Sequence, residues 1–132
     1  MRVWVYLLFL AALASGCGEP SGSPTYEVSG SVTWDGAPLP EGDIIFTPVD
    51  RAVVPEASTI RLGAYSLRAQ PGKKRVSIRA SKLVAGSKGA MNEPIYDNYI
   101  PDRYNVETTL TADVTADGPN RFDFALTKNA PK

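Results

Sequence analysis

From residue 26 onward apolar and polar residues alternate, and this alternation constrains the fold more than any other feature of the chain. Successive side chains of an extended strand point to opposite faces, so the pattern sends one row into a core and leaves the other in water. Over 26–34, Val28, Gly30, Val32 and Trp34 share one face, while Glu27, Ser29, Ser31 and Thr33 share the other. The pattern returns at 43–48 with Ile44 and Phe46, at 65–69 with Tyr65 and Leu67, and at 74–82 with Val76, Ile78 and Ala80. Two more rows come later, Leu110, Ala112 and Val114 over 109–115, then Phe122, Phe124 and Leu126 over 121–127. Residues 58–62 make a weaker strand. No helical period is sustained after residue 16.

Turn residues separate these rows. Asp35-Gly36 closes the first, and Pro38 and Pro40 keep the next connection extended. Pro71-Gly72 suits the middle of a type II turn, whose third residue needs a positive φ. Asp117-Gly118-Pro119-Asn120 turns the chain into its last row. Short alternating strands this closely punctuated predict an all-β, seven-stranded antiparallel sandwich with one buried face per sheet. Val32, Trp34, Phe46, Val76, Ile78, Leu110, Phe122 and Phe124 are expected to form its core. Residues 84–107 break the pattern with Gly86, Gly89, Pro94 and Pro101, and read as a long loop. Tyr96, Tyr99, Ile100 and Tyr104 would pack it onto the sandwich.

The first residues read as an address. Arg2 precedes an apolar run over 3–14, followed by Ser15 and Gly16, which is the layout of a secretory signal. The run stops at Gly18-Glu19-Pro20, short of the ~20 apolar residues of a spanning helix. Its ending, Leu13-Ala14-Ser15-Gly16-Cys17, resembles the lipobox of bacterial lipoproteins, with Ala14 where leucine is most common. That resemblance implies cleavage after Gly16 and a lipid on the thiol of Cys17, the new N-terminus. Cys17 is the chain's only cysteine, so no internal disulfide competes for it. Gly18 replaces the aspartate linked to inner-membrane retention, so the same resemblance implies the outer membrane. Residues 1–16 are therefore expected to be a signal peptide. Residues 17–25 become a lipidated, flexible Pro/Gly/Ser tether, 26–128 the domain, and 129–132 a short tail.

Four landmarks in order carry a further resemblance. They are Val28-Ser29-Gly30-Ser31-Val32-Thr33-Trp34-Asp35-Gly36-Ala37-Pro38-Leu39, Ile45-Phe46-Thr47-Pro48, Gly63-Ala64-Tyr65-Ser66-Leu67 and Pro71-Gly72-Lys73-Lys74-Arg75-Val76. Together they resemble the carboxypeptidase regulatory-like domain, with Arg75 at a usually aromatic position. The stretch Tyr99-Ile100-Pro101-Asp102-Arg103-Tyr104-Asn105 and the ending Asn120-Arg121-Phe122-Asp123-Phe124-Ala125-Leu126 look like small bacterial lipoproteins carrying this domain alone. The resemblance implies a Greek-key sandwich of the prealbumin, or transthyretin-like, type. It implies no agreed biochemical activity.

Composition excludes several chemistries. The chain carries 14 Lys+Arg against 14 Asp+Glu, so it lacks the cationic surplus that nucleic-acid phosphates require. It has no histidine, which removes His-based triads, shuttles and most zinc sites. Transthyretin-related hydroxyisourate hydrolases rely on histidines and a C-terminal Tyr-Arg-Gly-Ser, whereas this chain ends Lys128-Asn129-Ala130-Pro131-Lys132. A Lys–Asn isopeptide link of the pilin type would need a lysine in the first strand, which has none.

The remaining candidates are weighed against plainer roles. Glu41/Asp43 and Asp97/Asp102 are paired carboxylates, but they lie in turns or loops, where acidic residues are ordinary. Asp97, Asn98, Asp102 and Asn105 offer calcium-type oxygens without EF-hand spacing. Lys73, Lys74, Arg75, Arg79 and Lys82 read as a soluble basic turn and outward strand face. Tyr96, Tyr99 and Tyr104 are the best candidates for ligand recognition, because tyrosine faces stack on sugars and peptides. Against that stands a purely anchoring role for the loop. The expectation is a non-catalytic, lipid-anchored envelope domain with a structural or protein-interaction role. The alternative is a carbohydrate- or envelope-polymer-binding module using 84–107. No metal, cofactor or nucleic-acid partner is expected.

Overall fold

The computed structural model describes residues 22–50 and 54–130, so Cys17 and the signal-like segment lie outside the described residues. The fold is all-β. The described residues form, in chain order, β1 Tyr26–Trp34, β2 Ala37–Pro38, β3 Glu41–Pro48, β4 Glu56–Arg61, β5 Ala64–Ala69, β6 Gly72–Arg79, β7 Ser81–Lys88, β8 Pro94–Asn98, β9 Thr111–Val114, β10 Asn120–Arg121 and β11 Phe124–Leu126. A 3-10 turn occupies Asp102–Tyr104. Among the described residues no helix is long and apolar enough to cross a membrane.

One curled sheet runs β10-β1-β5-β4-β3-β6-β9, with β2 and β11 also paired to β1, while β7 and β8 form a separate hairpin. Neighbours are antiparallel except β10 and β11, which run parallel to β1. This corrects the expectation of a wholly antiparallel sheet. The last apolar row does not stay one strand. At Asp123 the carboxylate accepts hydrogen bonds from the Ser31 amide (2.7 Å) and hydroxyl (3.0 Å), and these replace ladder bonds between the two halves. The same bonds hold the Asp123 carboxyl below its usual range, against an opposing effect of burial and with a lesser contribution from Arg121.

The row at 74–82 also breaks. Ala80 donates its N–H to Asn98 Oδ1 (3.2 Å) and its carbonyl accepts the Tyr99 N–H (3.1 Å), so the chain leaves the sheet there. The segment beyond it corrects the long-loop expectation, because 84–107 contains most of β7, all of β8 and the 3-10 turn.

The inward parity is as expected. Val28, Val32, Ile44, Phe46, Tyr65, Leu67, Val76, Ile78, Ala112, Val114 and Leu126 are buried in one cluster. Of the expected core, Val32, Phe46, Val76 and Ile78 are fully enclosed, and Trp34, Leu110, Phe122 and Phe124 pack against the cluster at its rim. Gly30 sits in the inward row because the Phe122 carbonyl approaches β1 there, and a Cβ would collide with it.

Lys74 is a correction. It shares the parity of Val76 and Ile78 and is buried, with 1% of its side chain exposed. Its ammonium lies 3.2 and 3.1 Å from the two oxygens of Glu56 on β4. Glu56 Oε1 also accepts the Gln70 N–H at 3.0 Å. The basic outward face of β6 is thus Lys73, Arg75 and Arg79, without Lys74.

Tyr65 closes the gap left by the split strand, its hydroxyl donating to the Phe122 carbonyl at 2.6 Å. Burial, then the Asp123 charge, holds its phenol above the ordinary value of 10.0, with Arg121 opposing weakly. The folded state therefore keeps this proton more tightly than the unfolded chain does. Its contribution is complete below about pH 10 and is lost as the pH rises beyond. Melting temperatures between neutral pH and pH 11 should fall more steeply for the wild type than for Tyr65→Phe above pH 10. Parallel curves would show that Tyr65 does not carry the alkaline loss.

Candidate functional site

The three tyrosines singled out in sequence do different things. Tyr104, on the 3-10 turn, is buried and holds the end of the chain. Its hydroxyl accepts the Thr127 N–H at 3.1 Å and lies 3.3 Å from Thr127 Oγ1. The Arg103 guanidinium lies 4.7 Å from the centroid of its ring and donates to the Thr127 carbonyl. Burial pushes the Tyr104 phenol up, but the Thr127 hydrogen bonds and Arg103 outweigh it and leave the group below its ordinary range. The next residues are pinned as firmly: Asn105 Nδ2 donates to the Ile100 and Pro101 carbonyls at 3.2 and 3.1 Å, and Thr108 Oγ1 donates to the Val76 carbonyl at 2.6 Å. These bonds make Tyr104 an anchor.

Tyr99 is half-buried, edge-on to Trp34 with centroids 5.7 Å apart. The Lys82 ammonium stands 5.7 Å from the same ring. Burial raises its phenol. Its ring serves packing. Tyr96, by contrast, is 64% exposed.

Tyr96 belongs to the β7–β8 hairpin, which pairs Ser81 with Asn98, Lys82 with Asp97 and Leu83 with Tyr96 before its register shifts toward Lys88 and Pro94. No residue of either strand is buried. Leu83, Ile95 and Tyr96, together with Met91 at the tip, leave apolar surface in water. The base is nevertheless fixed. Asn98 Oδ1 accepts the N–H groups of Ala80 and Ile100, and its Nδ2 donates to the Ile100 carbonyl at 3.2 Å. A hairpin alone is marginal in water, so these bonds and the Tyr99 contact hold it to the sheet.

At that base lies an open cleft of about 200 Å³, lined by Glu41, Gly42, Asp43, Thr59, Ala80, Ser81 and Tyr96. Glu41 and Asp43 alternate with the buried Gly42 and Ile44 along β3, so both carboxylates share the outer face. Across the sheet, Glu41 faces Arg61, and Asp43 lies between Thr59 and Arg79. The cleft therefore combines two carboxylates, two hydroxyls and an aromatic side chain, with Arg61 and Arg79 in register beside it.

Glu41 and Asp43 are visible in sequence as a carboxylate pair and Tyr96 as a loop aromatic, but nothing local joins them. Only the departure of the chain at Ala80 brings Tyr96 over β3. The second pair, Asp97 and Asp102, lies on different elements, β8 and the 3-10 turn. In the calcium-type set, Asn98 already uses its side-chain oxygen on two backbone donors. Among the described residues no group of three or more His, Cys, Asp or Glu is placed to hold a metal ion. No family model, curated protein or solved structure matches the chain.

Proposed function

We propose that this chain is a non-catalytic recognition domain of the cell envelope, tied to the membrane by lipid at Cys17. In this reading the domain is a β-sandwich of the carboxypeptidase regulatory-like, prealbumin type, and the β7–β8 hairpin is its protein-interaction element. The observation that carries the reading is the contrast within 84–107. Tyr104, Tyr99 and Asn98 fix the segment to the sheet, while Met91, Ile95 and Tyr96, with Leu83 just before it, are left facing water. Exposed apolar side chains grouped on a fixed element are characteristic of interaction sites. The second reading, a carbohydrate- or envelope-polymer-binding module, is supported by the position of Tyr96 at the cleft.

The lipobox-like ending at Cys17 supports the anchoring, and Gly18 favours the outer membrane, with the domain held off the bilayer by 18–25. Fractionation of cells producing wild type and Cys17→Ser tests the attachment. Wild type should stay in the membrane pellet after a high-salt wash. The variant should appear as a soluble or unprocessed form. A processed variant that remains in the pellet like wild type would defeat lipid attachment at this residue.

A further inference from the structure

We propose that the cleft beneath Tyr96 binds a neutral sugar residue of a polysaccharide lying across the outer face of β3. The inference rests on the polymer-binding reading and deepens it with a site and a ligand class.

The charge pattern selects the ligand. An anionic polymer would meet Glu41 and Asp43 in the cleft, and a polycation would meet Arg61 and Arg79 paired in register beside them. A hydroxyl group suits both, since it donates to carboxylates and accepts from guanidinium groups. Neighbouring hydroxyls on a sugar ring offer several such bonds at once. Thr59 and Ser81 add hydroxyls that can do either.

Tyr96 supplies what remains. The residue is 64% exposed, while strand pairing places its backbone on β8 opposite Leu83. The C–H face of a sugar ring can lie against such a surface while the hydroxyls at its edge reach polar groups. Tyr99 and Tyr104 are committed to Trp34 and Thr127 and are not free for this role.

Size and rigidity agree. At about 200 Å³, the open cleft is smaller than the ~300–1,000 Å³ pockets that enclose whole small molecules, and it suits one ring of a longer chain. Its carboxylates sit on β3, flanked by β4 and β6, and the backbone that carries Tyr96 is tied to the sheet through Asn98. Binding would therefore order little of the backbone.

The test uses the purified full chain in detergent and follows backbone amide resonances. The probes are neutral gluco-, manno- and galacto-configured oligosaccharides, with spermidine and polygalacturonate as charged comparisons. At least one neutral oligosaccharide should shift Gly42, Asp43, Ser81 and Tyr96. Tyr96→Ala should weaken that binding about 3- to 10-fold, on the scale of aromatic contacts. Tyr96→Phe should retain most of it, and Asp43→Asn should weaken it. Melting temperatures should stay close to wild type for all three variants, because exposed substitutions perturb folding little. The proposal is overturned if no neutral probe moves these amides, or if only spermidine or only polygalacturonate does. Binding indifferent to Tyr96→Ala overturns it too. Shifts from a neutral oligosaccharide confined to other parts of the domain would overturn the cleft and keep the polymer-binding reading, whereas no shift from any probe would remove both.

Discussion

Phe46→Ala is expected to destabilise the domain by about 3–5 kcal/mol, through lost burial and the cavity left behind. Phe46 is fully enclosed on β3. Its ring packs against Tyr65 at 6.1 Å and Phe122 at 6.4 Å between centroids. Those contacts join the middle of the sheet to the strand beside β1, so truncation loosens both. Small domains have about 5–15 kcal/mol in total, and a loss of this size should be plain in urea unfolding. Phe124→Ala, at the rim of the core, should lose less. A loss for Phe46→Ala below about 1 kcal/mol would contradict its central place.

Glu56→Ala should have an effect of similar size for a different reason. It leaves the Lys74 ammonium buried without its carboxylate and removes the acceptor of the Gln70 N–H. Breaking a buried pair on one side costs about 3–5 kcal/mol, because the remaining charge is uncompensated. Replacing both partners by apolar residues of similar volume, as in Glu56→Leu with Lys74→Met, should restore most of the loss. Equilibrium unfolding of the two variants at neutral pH checks this. If the double variant is no more stable than Glu56→Ala, the uncompensated charge is not the cause.

Lys74 also marks where sequence reading and structure part. Alternation puts Val76 and Ile78 inward and Lys74 with them, and only the charge on the side chain argues for an outward position. The partner that makes its burial tolerable, Glu56, is eighteen residues away in sequence and across the sheet. No local pattern announces such a pairing. The opposite holds for β1, β3 and β5, and for Val76 and Ile78 on β6, whose inward rows are legible because one buried face forces strict alternation.

The end of the chain is less legible. Phe122, Phe124 and Leu126 look like one uninterrupted strand, and the interruption depends on Asp123 reaching Ser31. The parallel pairing of β10 and β11 with β1 comes from how the chain returns, which alternation does not encode. The hairpin formed largely within 84–107 escapes sequence reading because both its strands are exposed, and strands with no buried face need no alternation. Of the candidate site, the residue types are visible and their meeting is not. Tyr96 stands out in sequence together with Tyr99 and Tyr104, and only the surroundings of each ring separate a platform from two anchors.

Attachment of a recognition domain to the envelope through Cys17 is the central claim, and the intact mass of protein extracted from membranes tests it most directly. The expected result is a chain that begins at Cys17 and carries lipid on that residue. An unmodified thiol on a chain that still holds residues 1–16 would contradict it.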